Sequence, residues 1–308
     1  MSTTQNMPHT ITYTSLSNVV PQQRLLMFEK VFQTSEPIEL HGAYIWSVKV
    51  AASLQPLLSI LEVSLRNSIH SSATIHIGPD WYDKLATRVR SSWKTAQRDQ
   101  SNIKYHHDEI AKIKRRISGK TLPKGLKKPD LIIAKLEFGF WDNLLRECFA
   151  INGNQMALWP QCMKSVFPNV PNGHTNATIH TEITALRDLR NDIAHHSPVW
   201  KHATVHDELS AVTYVNSRID KIIEIISWLS NDVVNWLSIH MLLAEARRIA
   251  SVEFLHLYQR KNISQMGLKP NLLKRNLTKQ LKTLDKESFR LISCKGNHMY
   301  VLTKITNH

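Results

Sequence analysis

The spacing of apolar residues between Tyr44 and Ser72 constrains the fold more than any other feature of the sequence. Apolar side chains recur there every three or four positions, at Trp46, Val50, Leu54, Leu57, Leu58, Leu61, Leu65 and Ile69. This is the period of an α-helix with one buried face, so the stretch predicts a long helix. Pro56 lies inside it and predicts a kink or a restart, because proline cannot donate a backbone hydrogen bond.

Similar patterns cover most of the remaining chain. They predict further helices over 22–33, 83–117, 131–150, 177 to a stop at Pro198, 203–237, 239–258 and 271–284. Residues 289–293 and 299–302 flank Gly296-Asn297 and predict a small β-hairpin. The predicted fold class is therefore all-α, a bundle of long antiparallel helices with a small basic C-terminal extension that holds a helix and the hairpin.

Three regions are expected along the chain. Residues 1–20 are polar and predict a disordered or frayed N-terminus. Residues 21–245 form the helical domain, which includes a basic helix and loop over 84–128. Residues 246–308 form the basic C-terminal extension.

Composition indicates the cellular compartment of the protein and whether it binds a metal or a cofactor. Three widely spaced cysteines argue for a reducing compartment and against a disulfide framework or a cysteine zinc site. We find no signal-peptide pattern at the start and no uninterrupted apolar run of ~18 residues, so we expect a soluble, cytoplasmic protein without a membrane partner. None of the sixteen histidines has the spacing of a zinc motif, so solvated histidines and no metal or cofactor are expected.

The net charge of +14 is concentrated in two segments. Residues 84–128 hold fourteen Lys and Arg against three acidic residues, and residues 247–308 hold thirteen against three. Clustered positive charge is the electrostatic footprint of a nucleic-acid-binding protein. The alternative is a pair of solvated helical faces. The residues predicted to bind RNA are Arg115, Arg116, Lys120, Lys124, Lys127 and Lys128.

The densest set of reactive side chains lies in Leu186–Trp200. On a helix, Arg187, Asn191 and His195 would form an i, i+4, i+8 row, and Arg190 would flank it. The predicted buried stripe opposite this row is Ile183, Leu186, Leu189 and Ile193. Imidazole exchanges protons near neutral pH and guanidinium binds phosphate, so the row suits an RNA phosphodiester, whose 2′-OH is already a nucleophile. The alternative is a helix surface with a polar C-terminus.

Two sequence blocks carry a family resemblance. The segment Arg190-Asn191-Asp192-Ile193-Ala194-His195, followed by His196, Pro198 and Trp200, has the form RNxxAHHxPxW. The segment Leu61–Asn67, followed by Gly78 and Trp81, is similar to an LExxLRN…G..W block. Together they resemble the Abi-like (abortive infection D/F-type) proteins of the HEPN ribonuclease superfamily. Ser197 departs from the acidic residue found in many relatives, but it lies beyond the R-x4-H core.

The resemblance implies an HEPN-type bundle and a metal-independent endoribonuclease toxin of an anti-phage system. By that resemblance His195 is the general acid or base, Arg190 holds the scissile phosphate, and Asn191 orients either His195 or the phosphate. The supporting residues are His196, Arg187, Asp192, Glu62, Arg66 and Asn67. For Glu62 and Arg66 the alternative is a structural i, i+4 ion pair.

The same resemblance implies partners. RNA, either tRNA or mRNA, would be the substrate, and a homodimer would unite two R-x4-H helices in one cleft that releases 2′,3′-cyclic phosphate ends. A regulatory RNA or an antitoxin is a further candidate partner. Two other functions stay open: a non-catalytic RNA-binding protein that uses the same basic surfaces, and a helical protein that blocks another toxin.

Overall fold

The prediction of an all-α fold is confirmed. The computed structural model describes Leu16, Gly125 and residues 19–119, 127–261, 289–294 and 298–303. Its helices are α1 (Gln22–Phe32), α2 (Pro37–His76), α3 (Trp81–Lys84), α4 (Trp93–Ile117), α5 (Lys128–Ala134), α6 (Phe138–Leu144), α7 (Met163–Val166), α8 (Asn176–Ala194), α9 (Glu208–Leu229), α10 (Asn231–Ile239), α11 (Leu242–Ile249) and α12 (Val252–Gln259). A 3-10 turn, Glu147–Phe149, follows α6.

The expected C-terminal hairpin is present. Strand β1 (Phe289–Cys294) pairs in antiparallel fashion with β2 (His298–Thr303), with Phe289 opposite Thr303 and Cys294 opposite His298. The ring of Phe289 lies 5.0 Å from that of Phe254 on α12, so an aromatic contact joins the hairpin to a helix. The helix predicted over 271–284 lies outside the described residues.

The chain divides into two compact units, and α2 and α9 each contribute to both. The first unit comprises residues 1–53, 198–217 and 244–308. Its core is aromatic: the Trp200 ring meets those of Phe28 and Phe32 edge-on at 5.0 and 5.3 Å, and Phe32 meets Trp46 in the same way at 5.9 Å. Trp200, the last residue of the RNxxAHHxPxW block, therefore belongs to a core in which edge-to-face rings are stabilising.

The second unit comprises residues 54–197 and 218–243 and contains both ends of the R-x4-H segment. Helix α6 packs against α4 on one side and against α8 on the other. Its side chains Phe140 and Trp141 are buried, as is the row Leu57, Leu61, Leu65 and Ile69 that α2 contributes. Burial of these side chains, worth roughly 1.5–3 kcal/mol each, stabilises the unit in which α8 packs on α6.

The restart predicted at Pro56 is wrong, because α2 is one continuous helix from Pro37 to His76. The alternative, a kink, stays a prediction. The residues on both sides of the proline, Leu54, Leu57 and Leu58, are completely buried. Packing along this face offsets the missing hydrogen bond of the proline.

Four predicted helices are in fact interrupted. The one predicted over 83–117 is broken between Lys84 and Trp93, where the Ala86 amide donates to the Met156 carbonyl at 2.9 Å and the Arg88 amide to the Cys148 carbonyl at 2.8 Å. These tertiary hydrogen bonds satisfy the backbone as well as a helix would. The stretch 131–150 is likewise divided into the end of α5, helix α6 and the 3-10 turn.

The remaining two breaks are marked by serine caps. The helix predicted over 203–237 begins only at Glu208 and stops at Leu229, and Ser230 caps α10 by accepting from the Val233 amide at 3.4 Å. The helix predicted over 239–258 is divided into α11 and α12, and Ser251 caps α12. Serine competes for backbone hydrogen bonds and so favours helix starts over helix interiors.

Among the helices that the structure describes, α2 alone is long and apolar enough to cross a bilayer by length and composition. Core helices of water-soluble proteins pass the same two criteria, and one face of α2 is fully buried. The expectation that no segment spans a membrane therefore stays a prediction.

Candidate functional site

Helix α8 carries most of the predicted site, and its start is set by two threonines. The Thr175 hydroxyl accepts from the Thr178 amide at 3.3 Å, while the Thr178 hydroxyl accepts from the Thr175 amide at 2.8 Å. This reciprocal cap satisfies two amides that would otherwise lack a partner. The buried stripe is Ile179, Ile183, Leu186 and Leu189. Ile193, predicted to be buried, is half-buried because it lies in the last turn.

The helix ends at Ala194, one residue before His195 and well before the predicted stop at Pro198. His195 still donates its amide to the Asn191 carbonyl at 2.9 Å. His196 then adopts a left-handed conformation with φ of 59°, and the Ser197 amide donates a hydrogen bond to the Asp192 carbonyl at 2.8 Å. Left-handed residues terminate helices in this way. Both histidines are exposed at the turn, so the three-residue row predicted on one helix has its histidine just beyond the end.

Arg190 and Asn191, the two other predicted catalytic residues, lie together in the last turn of α8. The Arg190 guanidinium donates to the Asn191 side-chain oxygen at 3.4 Å. Both side chains are half-buried, so part of each stays accessible to a ligand. A guanidinium held by a neutral amide keeps donors available for a phosphate.

A carboxylate of α2 acts on the same arginine. Glu62 is half-buried, and burial raises the pKa of its carboxyl above the ordinary range. The charge of Arg190, then that of Arg66, and the Phe138 amide at the start of α6 oppose that rise. Glu62 is therefore a half-buried carboxyl group whose strongest favourable charge interaction is with Arg190 on a different helix.

Arg66 and Asn67 form a pair of their own on α2. The Arg66 Nε donates to the Asn67 side-chain oxygen at 3.2 Å. Arg66 is half-buried and Asn67 is exposed. Of the two alternatives for the Glu62–Arg66 spacing, the charge of Arg66 does act on Glu62, but the charge of Arg190 acts more strongly.

Arg187 has a structural role. Its guanidinium donates to the carboxylate of Asp142 on α6 and, at 2.8 Å, to that of Asp188. Asp142 is completely buried, and the Thr184 hydroxyl donates to its other oxygen at 2.7 Å. The His180 Nε2 lies 3.5 Å from the same carboxylate, and burial lowers the pKa of that imidazole.

Sequence reasoning missed Asp142. It stands in the aromatic stretch FGFWDNLL, where one carboxylate among apolar residues has no periodic partner. A polar residue on an otherwise buried helix is the one available signal, because a buried charge requires a partner elsewhere.

The predicted RNA-binding residues lie at the end of α4 and the start of α5. Arg115, Arg116, Lys127 and Lys128 are exposed, whereas Lys120 and Lys124 lie outside the described residues. Other cations of the basic segment are paired: Lys114 contacts Asp83 at 2.6 Å. The described part of the segment therefore presents less free charge than its composition suggests.

The described residues contain no group of three or more His, Cys, Asp or Glu side chains arranged to hold a metal ion. The chemistry that α8 offers is that of two exposed imidazoles, a guanidinium and an amide within one turn and its cap. These groups can transfer protons and bind an oxyanion.

Comparison with known proteins identifies the family of the chain. Residues 23–201 match the family model described as Abi-like protein, and the matched range includes both resemblance blocks. Searches of curated proteins and of solved structures found no match. The match suggests a role in abortive infection, and because it spans more than half of the sequence, the chain belongs to the Abi-like protein family.

Proposed function

We propose that this protein is a metal-independent endoribonuclease toxin of an abortive-infection system, with Arg190, Asn191 and His195 as its catalytic residues. The observation that carries the proposal is the end of α8, where His195 is exposed one residue beyond the last helical turn and Arg190 and Asn191 are paired within it. An imidazole can transfer protons and a guanidinium can stabilise charge on a phosphate, and RNA cleavage without a metal requires both functions.

The proposed reaction is an internal displacement at one RNA phosphate. The 2′-oxygen attacks phosphorus as its proton passes to an imidazole, and the P–O5′ bond breaks as the 5′-oxygen takes up a proton. The products are a 2′,3′-cyclic phosphate and a 5′-hydroxyl. Arg190 neutralises charge that develops on the non-bridging oxygens. The Glu62 carboxylate, whose charge interacts with that of Arg190, orients the guanidinium.

A homodimer is part of this proposal. One histidine cannot be both the base on the 2′-oxygen and the acid on the 5′-oxygen in the same instant. A second copy related by a two-fold axis would supply the other His195, as symmetric dimers do for shared clefts. His196, adjacent to His195 and exposed, is the residue within the same chain that could assist.

The experiment is RNA cleavage in EDTA by the full chain, with the 3′ ends of the products analysed. A labelled mixture of tRNA and mRNA incubated with wild type should yield cyclic-phosphate ends, and His195→Ala and Arg190→Ala should yield none. His76→Ala, which changes an exposed histidine at the end of α2, is the matched control and should cleave as wild type does.

Two results would contradict the proposal. Cleavage by His195→Ala at the wild-type rate would remove the assigned general acid–base. RNA bound equally by wild type and variants but cut by neither would favour the non-catalytic RNA-binding protein, in which the exposed Arg115, Arg116, Lys127 and Lys128 hold a regulatory RNA or tRNA.

A further inference from the structure

The start of α4 presents an exposed tryptophan among basic residues. Trp93 is 77% exposed, the greatest exposure of any described tryptophan. Tryptophan is rarely left in water, because its ring offers more apolar surface than any other side chain. Arg88, Lys94 and Arg98 are exposed on the same stretch, and no acidic residue occurs from residue 84 to 98.

The helix geometry places Trp93, Lys94 and Arg98 on one face of α4, whereas Arg88 lies in the non-helical segment before it. At 100° per residue and counting from Trp93, Gln97 lies at about 40°, Lys94 at about 100° and Arg98 at about 140°. On the same scale the buried residues of α4 lie at about 200–260°, and they are Asp99, His106, Ile110, Ile113 and Ile117. The aromatic and basic face is therefore opposite the core.

The segment before α4 is held rigidly although it is not helical. Arg90 donates from its Nε to Asp99 at 2.8 Å, its backbone amide donates to the same carboxylate at 3.1 Å, and its guanidinium also contacts Glu147. Asp99 is buried, so this ion pair fixes the entry into α4. Arg90 thereby has a structural role, and the charge of Arg88 also acts on Asp99. The cations on the same face of α4 as Trp93 are Lys94 and Arg98.

We infer that this face, defined by Trp93, Lys94 and Arg98, binds an unpaired strand of RNA, with a base stacked on the Trp93 ring and phosphates on the two cations. An aromatic ring beside cations fits single strands, because unpaired bases expose their faces and duplex bases do not. A protein partner would also be attracted to an exposed tryptophan, but the exposed positive charges of Lys94 and Arg98 at its border favour a polyanion.

The inference deepens the proposed function, on which it rests for RNA as the ligand. Helix α4 packs on α6 and α6 packs on α8, so the strand-binding face belongs to the same compact unit as the R-x4-H segment. It adds to the substrate class a requirement for unpaired nucleotides. It also assigns a role to three residues of the basic segment that lie outside the predicted RNA-binding set.

The test measures binding by the full chain in a His195→Ala background, so that RNA stays intact. The probes are a fluorescein-labelled 12-nucleotide oligouridine and a 12-base-pair RNA duplex. Trp93→Ala should raise the Kd for oligouridine at least about fivefold, since a stacked base is worth that much or more. Binding of the duplex should change less than twofold, and Trp93→Phe should keep most of the affinity for oligouridine.

Two controls separate stacking from charge. Trp236→Ala removes another partly exposed tryptophan of the same unit and should leave both Kd values unchanged. The double variant Lys94→Gln/Arg98→Gln should reduce the slope of log Kd against log salt for oligouridine by about 1.4, because each phosphate contact to a single strand contributes about 0.7. Trp93→Ala should leave that slope unchanged.

The inference is overturned if Trp93→Ala binds oligouridine with the parent Kd, or if it weakens strand and duplex equally. Loss of a co-purifying protein from Trp93→Ala, with RNA binding unchanged, would overturn it in favour of a protein-docking face. Cleavage is measured separately, with the protein that retains His195. If binding depends on Trp93 but that protein cuts no RNA, the nuclease proposal is overturned and the assignment of this face to RNA stands.

Discussion

The Arg187 guanidinium on α8 donates a hydrogen bond to the Asp142 carboxylate on α6, and that carboxylate is completely buried. The Thr184 hydroxyl, one turn earlier on α8, donates to its other oxygen at 2.7 Å. Two side chains of α8 thus share a single buried carboxylate of α6. The link lies just before Arg190, so it fixes the rotation of α8 at the proposed site.

We predict that Asp142→Ala lowers the free energy of unfolding by about 3 kcal/mol, because it removes the buried acceptor that a partly buried guanidinium and a hydroxyl share. Asp188→Ala removes the exposed partner of the same Arg187 and should cost no more than about 1 kcal/mol. Urea denaturation of both variants measures the difference. Equal losses would show that the buried carboxylate has no special part in holding α8.

For Glu62 we predict opposite effects on stability and activity. Burial raises the pKa of this carboxyl, so its ionised form costs stability at neutral pH, above its unfolded pKa. Glu62→Gln should therefore unfold with the same or a higher free energy at pH 7.5. RNA cleavage should fall at least about tenfold, because Arg190 loses the negative charge that orients it.

Glu182→Gln is the matched control for Glu62. Glu182 lies on α8 and pairs with Lys221 at 3.3 Å, away from the R-x4-H segment in the sequence. Its removal should leave cleavage unchanged. A Glu62→Gln variant that is less stable by more than about 1 kcal/mol, with normal cleavage, would mark Glu62 as a purely structural ion-pair member.

A third prediction concerns His106. Its Nε2 donates to the Tyr82 carbonyl at 2.8 Å, its ring stacks on Phe140 at 5.1 Å, and burial lowers the pKa of the imidazole to about 4. As the pH falls below about 6.5, the unfolded chain binds a proton that the folded protein does not. Stability should consequently fall by about 2 kcal/mol from pH 7.5 to pH 5 through this residue alone.

His106→Phe should flatten the pH dependence of unfolding over that window, whatever its effect at pH 7.5. His107→Ala changes the exposed neighbour and should keep the wild-type dependence. Chemical denaturation at pH 7.5, 6 and 5 gives both comparisons. A wild-type slope in His106→Phe would mean that other groups account for the acid sensitivity.

The fourth prediction compares two helical glycines. A Cβ at Gly42 on α2 would overlap the backbone of Tyr258 and Gln259, which cannot move aside as a side chain can. Gly42→Ala should therefore destabilise the protein by about 2 kcal/mol or more, despite the better helix propensity of alanine. At Gly139 the Cβ would lie 3.2 Å from the Tyr105 hydroxyl, the end of a flexible side chain.

Gly139→Ala should consequently stay within about 1 kcal/mol of wild type, because the gain in helix propensity offsets a small shift of Tyr105. Thermal and urea unfolding of the two variants provide the test. Near-neutral stability of Gly42→Ala would contradict the close contact between α2 and α12.

Long helices could be predicted from the sequence because their signal is repeated along many residues. The α2 row from Trp46 to Ile69 is fully buried as its spacing predicts. The caps at Ser230 and Ser251 divide two stretches for which the apolar pattern predicts single helices. The break between α3 and α4 could not be predicted, since it depends on the distant carbonyls of Met156 and Cys148.

At the candidate site, the sequence indicated which residues lie together but not what each one contacts. The R-x4-H segment does place Arg190, Asn191 and His195 at one helix end. The commitment of Arg187 to Asp142 was hidden, because the two residues are 45 positions apart and no local pattern connects them. The exposure of Trp93 was equally hidden, since apolar residues in a helical stretch are usually assigned to the core.

Because α8 ends at Ala194, the number of residues between Arg190 and His195 determines the direction in which the imidazole points relative to the guanidinium. One residue inserted between them would turn the imidazole by about 100° and advance it about 1.5 Å, with every reactive group still present. The five-residue spacing of Arg190 and His195 therefore sets both the direction and the distance of the imidazole from the guanidinium. A related chain with the same residues at a different interval would point its histidine to another side of the helix, and we would not expect it to cut RNA in the same way.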